Sequence, residues 1–200
     1  MNESTRDYYN AYGEEWGKIR YNSFFHEENF RKFIGYLKKG DSILDIGCAN
    51  GISVPLFLGI GHSLQYEGLD ISETLLTIAR NRYPNQSFLL GDIADASSLL
   101  EKTYDGFWAP AVLMHVPREL HNDLFHNLAS IMKSGAYGYV TLPEAKKKEK
   151  EDHDTRTFEF FSIEEARDMF TSRGWKVLES GPLEGSPRNV WNWFIVSLPE

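Results

Sequence analysis

The chain has 200 residues, of which 42% are hydrophobic and 25% charged, a balance that suits one folded domain and excludes wholesale disorder. Its single cysteine, Cys48, excludes an intrachain disulfide and a Cys-rich zinc site and points to a reducing compartment. Twenty-one basic against 29 acidic residues give a formal charge of -8, so the average field repels nucleic acid and anionic membrane.

The first 36 residues carry 10 of the 28 aromatic side chains. Tyr8, Tyr12 and Trp16 are four apart, which stacks them on one face of a helix. That stripe either packs the segment onto the body or forms a lid whose inner face touches ligand, since aromatic faces attract cations and flat rings. From Asp41 onward, short apolar runs alternate with longer periodic segments, the pattern of a parallel sheet with helical crossovers. Strands are expected near Ser42–Ile46, Gln65–Asp70, Ser87–Leu90, Tyr104–Trp108 and Ala136–Leu142. Ser72 caps a helix before Leu75, Ile78 and Ala79, and Pro117 opens a helical segment running through Met132. Lys146–Asp154 is charged and reads as a solvated loop. A helix begins near Ser162, with Glu164 and Glu165 in its first turn and Gly174 as its stop. Two last strands, near Trp175–Glu179 and Val190–Ser197, are joined by GPLEGSPRN, too short for a helical crossover, so they should be antiparallel neighbours. No apolar run approaches the roughly 20 residues of a membrane span. The opening MNESTRDYYN lacks the apolar stretch of a secretion signal. The expectation is a soluble, cytoplasmic protein.

The candidate chemistry lies at the strand ends. The first strand reads ILDIG and opens into CANG, where Gly47 and Gly51 let the backbone turn tightly and come close to a bound molecule. Asp70 ends the second strand 19 residues beyond Gly51, about where a carboxylate can grip the two hydroxyls of a ribose. Together they predict a nucleoside-containing ligand outside the carboxyl ends of the strands. The loop Asp45-Ile-Gly47-Cys-Ala-Asn-Gly51 does not fit the G-x-G-x-x-G dinucleotide fingerprint, which disfavours a nicotinamide oxidoreductase.

At these residues the chain resembles the class I methyltransferases that use S-adenosylmethionine, whose first motif commonly reads D-x-G-x-G-x-G. Here Ala49 takes the middle glycine position, a mild departure, because the backbone there is expected to need no positive φ. The resemblance runs from Arg31 to Leu198 through GLDIS, LLGDIAD, YDGFWAPAVLMHVPRE and MKSGAYGYVTLPE. It implies an α/β fold: a doubly wound Rossmann-like sheet of seven strands, six parallel and one antiparallel, with helices on both faces and a helical amino-terminal lid. Residues 1–30 would form the lid and 31–200 the cofactor-binding domain.

The resemblance implies further that Asp45 and the loop Gly47, Cys48, Ala49, Asn50 and Gly51 hold the methionine end of the cofactor. Asp70 would bind the ribose, Ile71 would cover adenine, and Asp92, followed by Ile93, would meet the adenine amino group. Ala109 would offer a backbone carbonyl to the cofactor's ammonium. In their bland reading the three aspartates only cap helices or pair with surface bases. From the lid, Tyr12 and Arg20 are candidates for the cofactor, and Tyr8 and Trp16 for the substrate. His115, in LMHVP, resembles the family position that faces the methyl group; it is either the base that takes the acceptor's proton or a residue of the pocket wall. His153 and Arg156 lie where relatives place substrate-contacting insertions, with a solvated loop as the alternative. His121 and His126 fall within a helix as packing or surface residues.

Trp108-Ala109-Pro110-Ala111 stands where N-methylating relatives acting on amides and nucleobases often carry N-P-P-Y, and no carboxylate follows Asp105 until Glu119. Neither a nucleic-acid acceptor nor a metal is therefore expected. The function implied is methyl transfer from S-adenosylmethionine, leaving S-adenosylhomocysteine, to an oxygen or nitrogen of a small, partly apolar molecule. The alternatives are a non-catalytic S-adenosylmethionine-binding partner or sensor, and a protein or RNA methyltransferase.

Overall fold

The computed structural model describes residues 3–20, 27–60, 63–95, 102–146, 154–183 and 189–199, the side chains of residues 16–20, 145, 146 and 189 excepted. Strands β1 (Ser42–Ile46), β2 (Gln65–Asp70), β3 (Ser87–Leu90), β4 (Tyr104–Pro110), β5 (Met132–Lys146), β6 (Lys176–Leu183) and β7 (Asn189–Ser197) form one sheet in the order β3-β2-β1-β4-β5-β7-β6. The pairs β1–β2, β1–β4, β2–β3 and β4–β5 are parallel. β7 runs antiparallel to β5 on one side and to β6 on the other. The expectation of six parallel strands and one antiparallel is thereby refined: the sheet is mixed, with two antiparallel pairs, because β7 sits inside the sheet rather than at its edge.

Successive strand residues point to opposite faces, and each face finds its own cover. On one side Ile43, Trp108, Tyr139 and Ile195 meet Phe30 and Phe33 of α2 (Glu27–Ile34) and Phe57 of α3 (Val54–Gly59). On the other, Leu44, Phe107, Val140 and Phe194 meet Leu124 and Leu128 of α5 (His121–Ser130) and Phe170 of α6 (Ile163–Thr171). Trp108 stacks on Tyr139 with centroids 4.1 Å apart and receives Phe30 edge-on at 5.3 Å. This clamps β4 three residues before the loop it delivers to the site.

Local signals place the helices. Ser72 caps α4 (Glu73–Arg82) by accepting from the Leu75 N–H, and Ser162 and Glu165 form a reciprocal capping box on α6. The segment after Pro117 differs from expectation. It makes a single 3-10 turn, Arg118–Leu120, before α5, and Met132 already belongs to β5. Helix α1 (Glu3–Arg20) lies against the start of α4, the turn that holds His115, and residues 155–157.

The order of strands reverses at β1, whose neighbours β2 and β4 lead away in opposite directions, and ligands of open α/β sheets bind outside the carboxyl ends at such a point. The loop after β1 is correspondingly tight. Gly47 has φ +69 and a Cβ there would collide with Val112, so the loops leaving β1 and β4 touch. Gly51 has φ +78, and a Cβ would lie 2.8 Å from the Tyr83 ring.

Ala49 also lies in the left-handed region, with φ 51, which corrects the expectation that this position needs no positive φ. A Cβ in that conformation costs about 1–2 kcal/mol, and the hydrogen bond from the Ala49 N–H to Asp70 Oδ2 at 2.9 Å helps to hold it. Ala49→Gly should therefore raise stability by about 1 kcal/mol, or roughly 2–4 °C in Tm. An unchanged or lowered midpoint in thermal denaturation would contradict strain at this residue.

Candidate active site

Asp45 and Asp70 stand at the carboxyl ends of β1 and β2, and both are buried. Asp45 accepts from the Tyr66 hydroxyl through Oδ2 at 2.8 Å, while its Oδ1 is buried with no hydrogen-bond partner among the described residues. Burial, with the nearby Asp70 charge adding to it, pushes the Asp45 carboxyl up to about 8. Asp70 accepts the Ala49 N–H through Oδ2 and the Ser72 N–H through Oδ1, each at 2.9 Å. Burial raises its carboxyl to about 6, although these amides favour the ionised form. Asp70 is thus structural as well as available. It ties the β1 loop to the β2 loop, and a carboxylate oxygen can accept more than one donor.

The neighbouring candidates divide by environment. Cys48 packs with Val54, Leu76, Ala79 and Phe88, and burial pushes its thiol well up, so it serves the core. Ile93 is likewise a core residue beside Leu69. Asn50 is buried in the β1 loop, and Ile71 is half-buried after β2. Asp92 is half-buried and accepts the Ala94 N–H at 2.9 Å, which orders the turn after β3. Ala109 is fully buried and pairs with Val140. A ligand carrying an ammonium group and a ribose fits this set, because the buried Asp45 carboxyl, neutral while nothing opposes it, can ionise against a cation at Oδ1, and Asp70 ends the strand beside it.

His115 lies in a short 3-10 turn, Leu113–His115, after β4 and is only 2% exposed. Its Nδ1 is 2.6 Å from the Thr157 carbonyl, which can only accept, so Nδ1 carries the proton. In the neutral ring Nε2 is then the acceptor, and the Tyr9 hydroxyl donates to it at 3.3 Å. Arg156 Nη1 in turn donates to the Tyr9 oxygen at 3.1 Å.

The lid expectation is corrected in register. The face of α1 turned to the body is Thr5, Tyr9 and Gly13: Thr5 is fully buried, Tyr9 meets His115, and a Cβ on Gly13 would lie 3.1 Å from Leu75. Tyr12 is 39% exposed, with its ring 5.0 Å from that of Tyr8. Tyr8 does reach the site, where the Arg156 guanidinium lies 4.5 Å over its ring. The Trp16 and Arg20 side chains, and His153, lie outside the described residues. Tyr9 was missed because the face of Tyr8, Tyr12 and Trp16 carries three large rings and the face of Thr5, Tyr9 and Gly13 only one. Thr5, Tyr9 and Gly13 share the same spacing, and their small ends are what permit close approach.

Arg156 corrects the solvated-loop alternative, being 8% exposed. Asp154 neutralises it through two hydrogen bonds, Nε to Oδ1 at 2.9 Å and Nη2 to Oδ2 at 2.7 Å, and Phe158 flanks it at 5.0 Å. His121 is a packing residue: its Nε2 lies 3.0 Å from the Val116 carbonyl, and burial lowers its pKa.

The Asp45 shift makes a test by titration. A carboxyl ordinarily at 3.8 that holds its proton to about 8 when folded gives the native state the extra proton between those values. Its stabilising contribution is complete below the lower value and is lost as pH rises through the upper one. The unfolding free energy should decline from pH 6.5 to 8.5, and Asp45→Asn, which cannot ionise, should flatten that decline in denaturant titrations. A decline of equal slope in the variant would place the titration elsewhere.

Comparison with known proteins agrees with this layout. Residues 43–135 match the family model described as a methyltransferase domain. Trans-aconitate 2-methyltransferase of Acidovorax sp. (strain JS42) is 36% identical over 102 residues, which is 51% of this chain and 38% of that protein. The chain thus spans well under half the length of that curated relative. Magnesium protoporphyrin IX methyltransferase of Synechocystis PCC 6803, solved with bound S-adenosylmethionine, superposes with a TM-score of 0.72 at 19% identity, over 99% of this chain and 98% of the other. A Burkholderia thailandensis N1-methyltransferase, solved with 1,6-didemethyltoxoflavin and S-adenosylhomocysteine, gives 0.79 at 11% identity, over 98% and 88%. The strand order, the turn after β1 and the matched segment agree: residues 43–135 are similar to a methyltransferase domain, and the chain shares the fold of these two solved methyltransferases.

Proposed function

We propose that the protein moves a methyl group from S-adenosylmethionine to an oxygen or nitrogen of a small organic molecule. The observation that carries this reading is His115, whose proton is held on Nδ1 by the Thr157 carbonyl so that Nε2 is left as an acceptor beneath the lid. The Gly47–Val112 contact sets the loop bearing His115 beside the β1 loop. The curated relative is named for a small-molecule acceptor, as are both solved structures. Among the described residues no helix is long and apolar enough to cross a membrane, and no cluster of His, Cys, Asp and Glu could hold a metal.

In this reading Asp45 and the backbone of Gly47 to Gly51 hold the methionine end, with Ala109 offering its carbonyl to the ammonium. Asp70 takes the ribose hydroxyls, while Ile71, Asp92 and Ile93 frame the adenine. When bound, S-adenosylmethionine supplies an electrophilic methyl carbon, and the electron pair of the broken bond stays on sulfur. His115 Nε2 takes the proton that the acceptor atom releases. The Thr157 carbonyl steadies the resulting imidazolium through Nδ1–H, a role for which a backbone oxygen at 2.6 Å is well suited. Of the 1–30 segment, helix α1 acts as the lid, while Phe30 already belongs to the core, and Tyr9 must give way from Nε2 for the acceptor to reach it.

Purified protein incubated with methyl-labelled S-adenosylmethionine and a dialysable metabolite pool should transfer label to a small molecule. Binding of the cofactor without transfer would mark a sensor or partner domain, and label in protein or RNA would move the acceptor to a macromolecule. His115→Asn should lower kcat by about 100-fold or more while leaving the affinity for S-adenosylhomocysteine within about twofold. Asp70→Asn keeps an acceptor for one amide and loses the charge, and it should weaken that affinity by about tenfold. Equal rates for His115→Asn and the parent would make His115 a wall residue.

A further inference from the structure

The lid touches the cofactor loop and the acceptor pocket through two consecutive residues. Tyr9 meets His115, while the Asn10 side chain accepts from the Ser72 hydroxyl at 2.9 Å and the Asn10 carbonyl accepts from the Thr74 hydroxyl at 3.1 Å. Ser72 is fully buried, and its hydroxyl also accepts the Leu75 N–H that caps α4. Its own N–H donates to Asp70 Oδ1 at 2.9 Å. A short polar path therefore runs from α1 through Ser72 to the carboxylate assigned to the ribose. The path continues from Asp70 Oδ2 to the Ala49 N–H in the β1 loop.

We infer that Asn10 is a positioning residue that makes lid docking depend on the cofactor, so that engagement of Asp70 sets Tyr9 against His115. The inference rests on the proposed binding of the cofactor at Asp70. A donor arriving at Asp70 fixes the turn that carries Ser72. Ser72 then presents its hydroxyl proton to Asn10 in one orientation, and Thr74 presents its own to the same turn of α1. Neighbours on a helix point about 100° apart, so one rigid helix reports to both loops at once. Asparagine is a poor helix former in mid-helix, and replacing it by alanine strengthens the isolated helix. A loss seen in Asn10→Ala is therefore not a loss of helix.

The experiment is amide hydrogen exchange on the full chain, with and without S-adenosylhomocysteine. In the parent, the ligand should slow exchange in residues 47–51 and 70–72, and in α1 by at least about fivefold, the lower range of measured couplings. In Asn10→Ala the slowing at 47–51 should remain and that in α1 should vanish. Thr5→Ala removes a different anchor of the lid, the bond from the Thr157 N–H at 3.2 Å, and serves as the comparison. It should speed exchange of α1 in both states and keep the ligand-dependent slowing. Equal slowing of α1 in Asn10→Ala and the parent, or none in the parent while 47–51 responds, overturns the coupling. No response at 47–51 in the parent overturns the cofactor reading, and the coupling with it.

Discussion

The carboxylate of Asp70 is the junction on which the site depends. It is buried at the end of β2 and accepts one amide from the β1 loop and one from the turn that starts α4. Without those acceptors, two backbone N–H groups would be left unpaired in the interior, at a cost of about 1–3 kcal/mol each. The same bonds hold Ala49 in a left-handed conformation that an alanine does not choose by itself. Strain in the loop and burial of a charge are therefore two sides of one arrangement. A ligand that donates hydroxyl hydrogens to Asp70 would meet a carboxylate already aimed by both amides, and would tighten the hold of that carboxylate on the two loops.

On the acceptor side, orientation comes from the backbone rather than from a second acid. The Thr157 carbonyl selects the tautomer of His115, and Tyr9 and Phe158 set their rings edge-on to the imidazole at 6.0 and 5.0 Å. Arg156 brings positive charge within 3.1 Å of the Tyr9 oxygen, while Asp154 balances it at close range. The pair lets a guanidinium lie among Tyr8, Tyr9 and Phe158 without an uncompensated buried charge. The site is thus walled by aromatic faces, with few polar groups, each fixed by a named partner.

Much of this was legible in the residues. β1, β2 and β3 fall at the predicted positions because short apolar runs end there in Gly or Asp. The cap at Ser72 and the start of a helix near Ser162 were equally plain, since a hydroxyl three residues before a helical N–H has a local mechanism. What escaped was set by tertiary contact. The φ of Ala49 leaves no trace in the identity of the residue. The register of α1 depends on which face docks, and a helix with tyrosines at 8, 9 and 12 offers more than one. Arg156 follows a run of lysine and glutamate that reads as solvated, and only its pairing with Asp154 takes it inside. β7 lies between β5 and β6 by sheet order, which strand patterns alone do not encode.

The identity of the nucleoside that the proposed site takes is the most direct test, and thermal unfolding with S-adenosylmethionine, S-adenosylhomocysteine and NAD in parallel measures it. A ligand at 100 times its Kd adds about 2.7 kcal/mol, which for this length raises Tm by roughly 5–11 °C. Rises with the first two and none with NAD are expected. A rise with NAD alone, or with none of the three, would contradict S-adenosylmethionine as the ligand of Asp45 and Asp70.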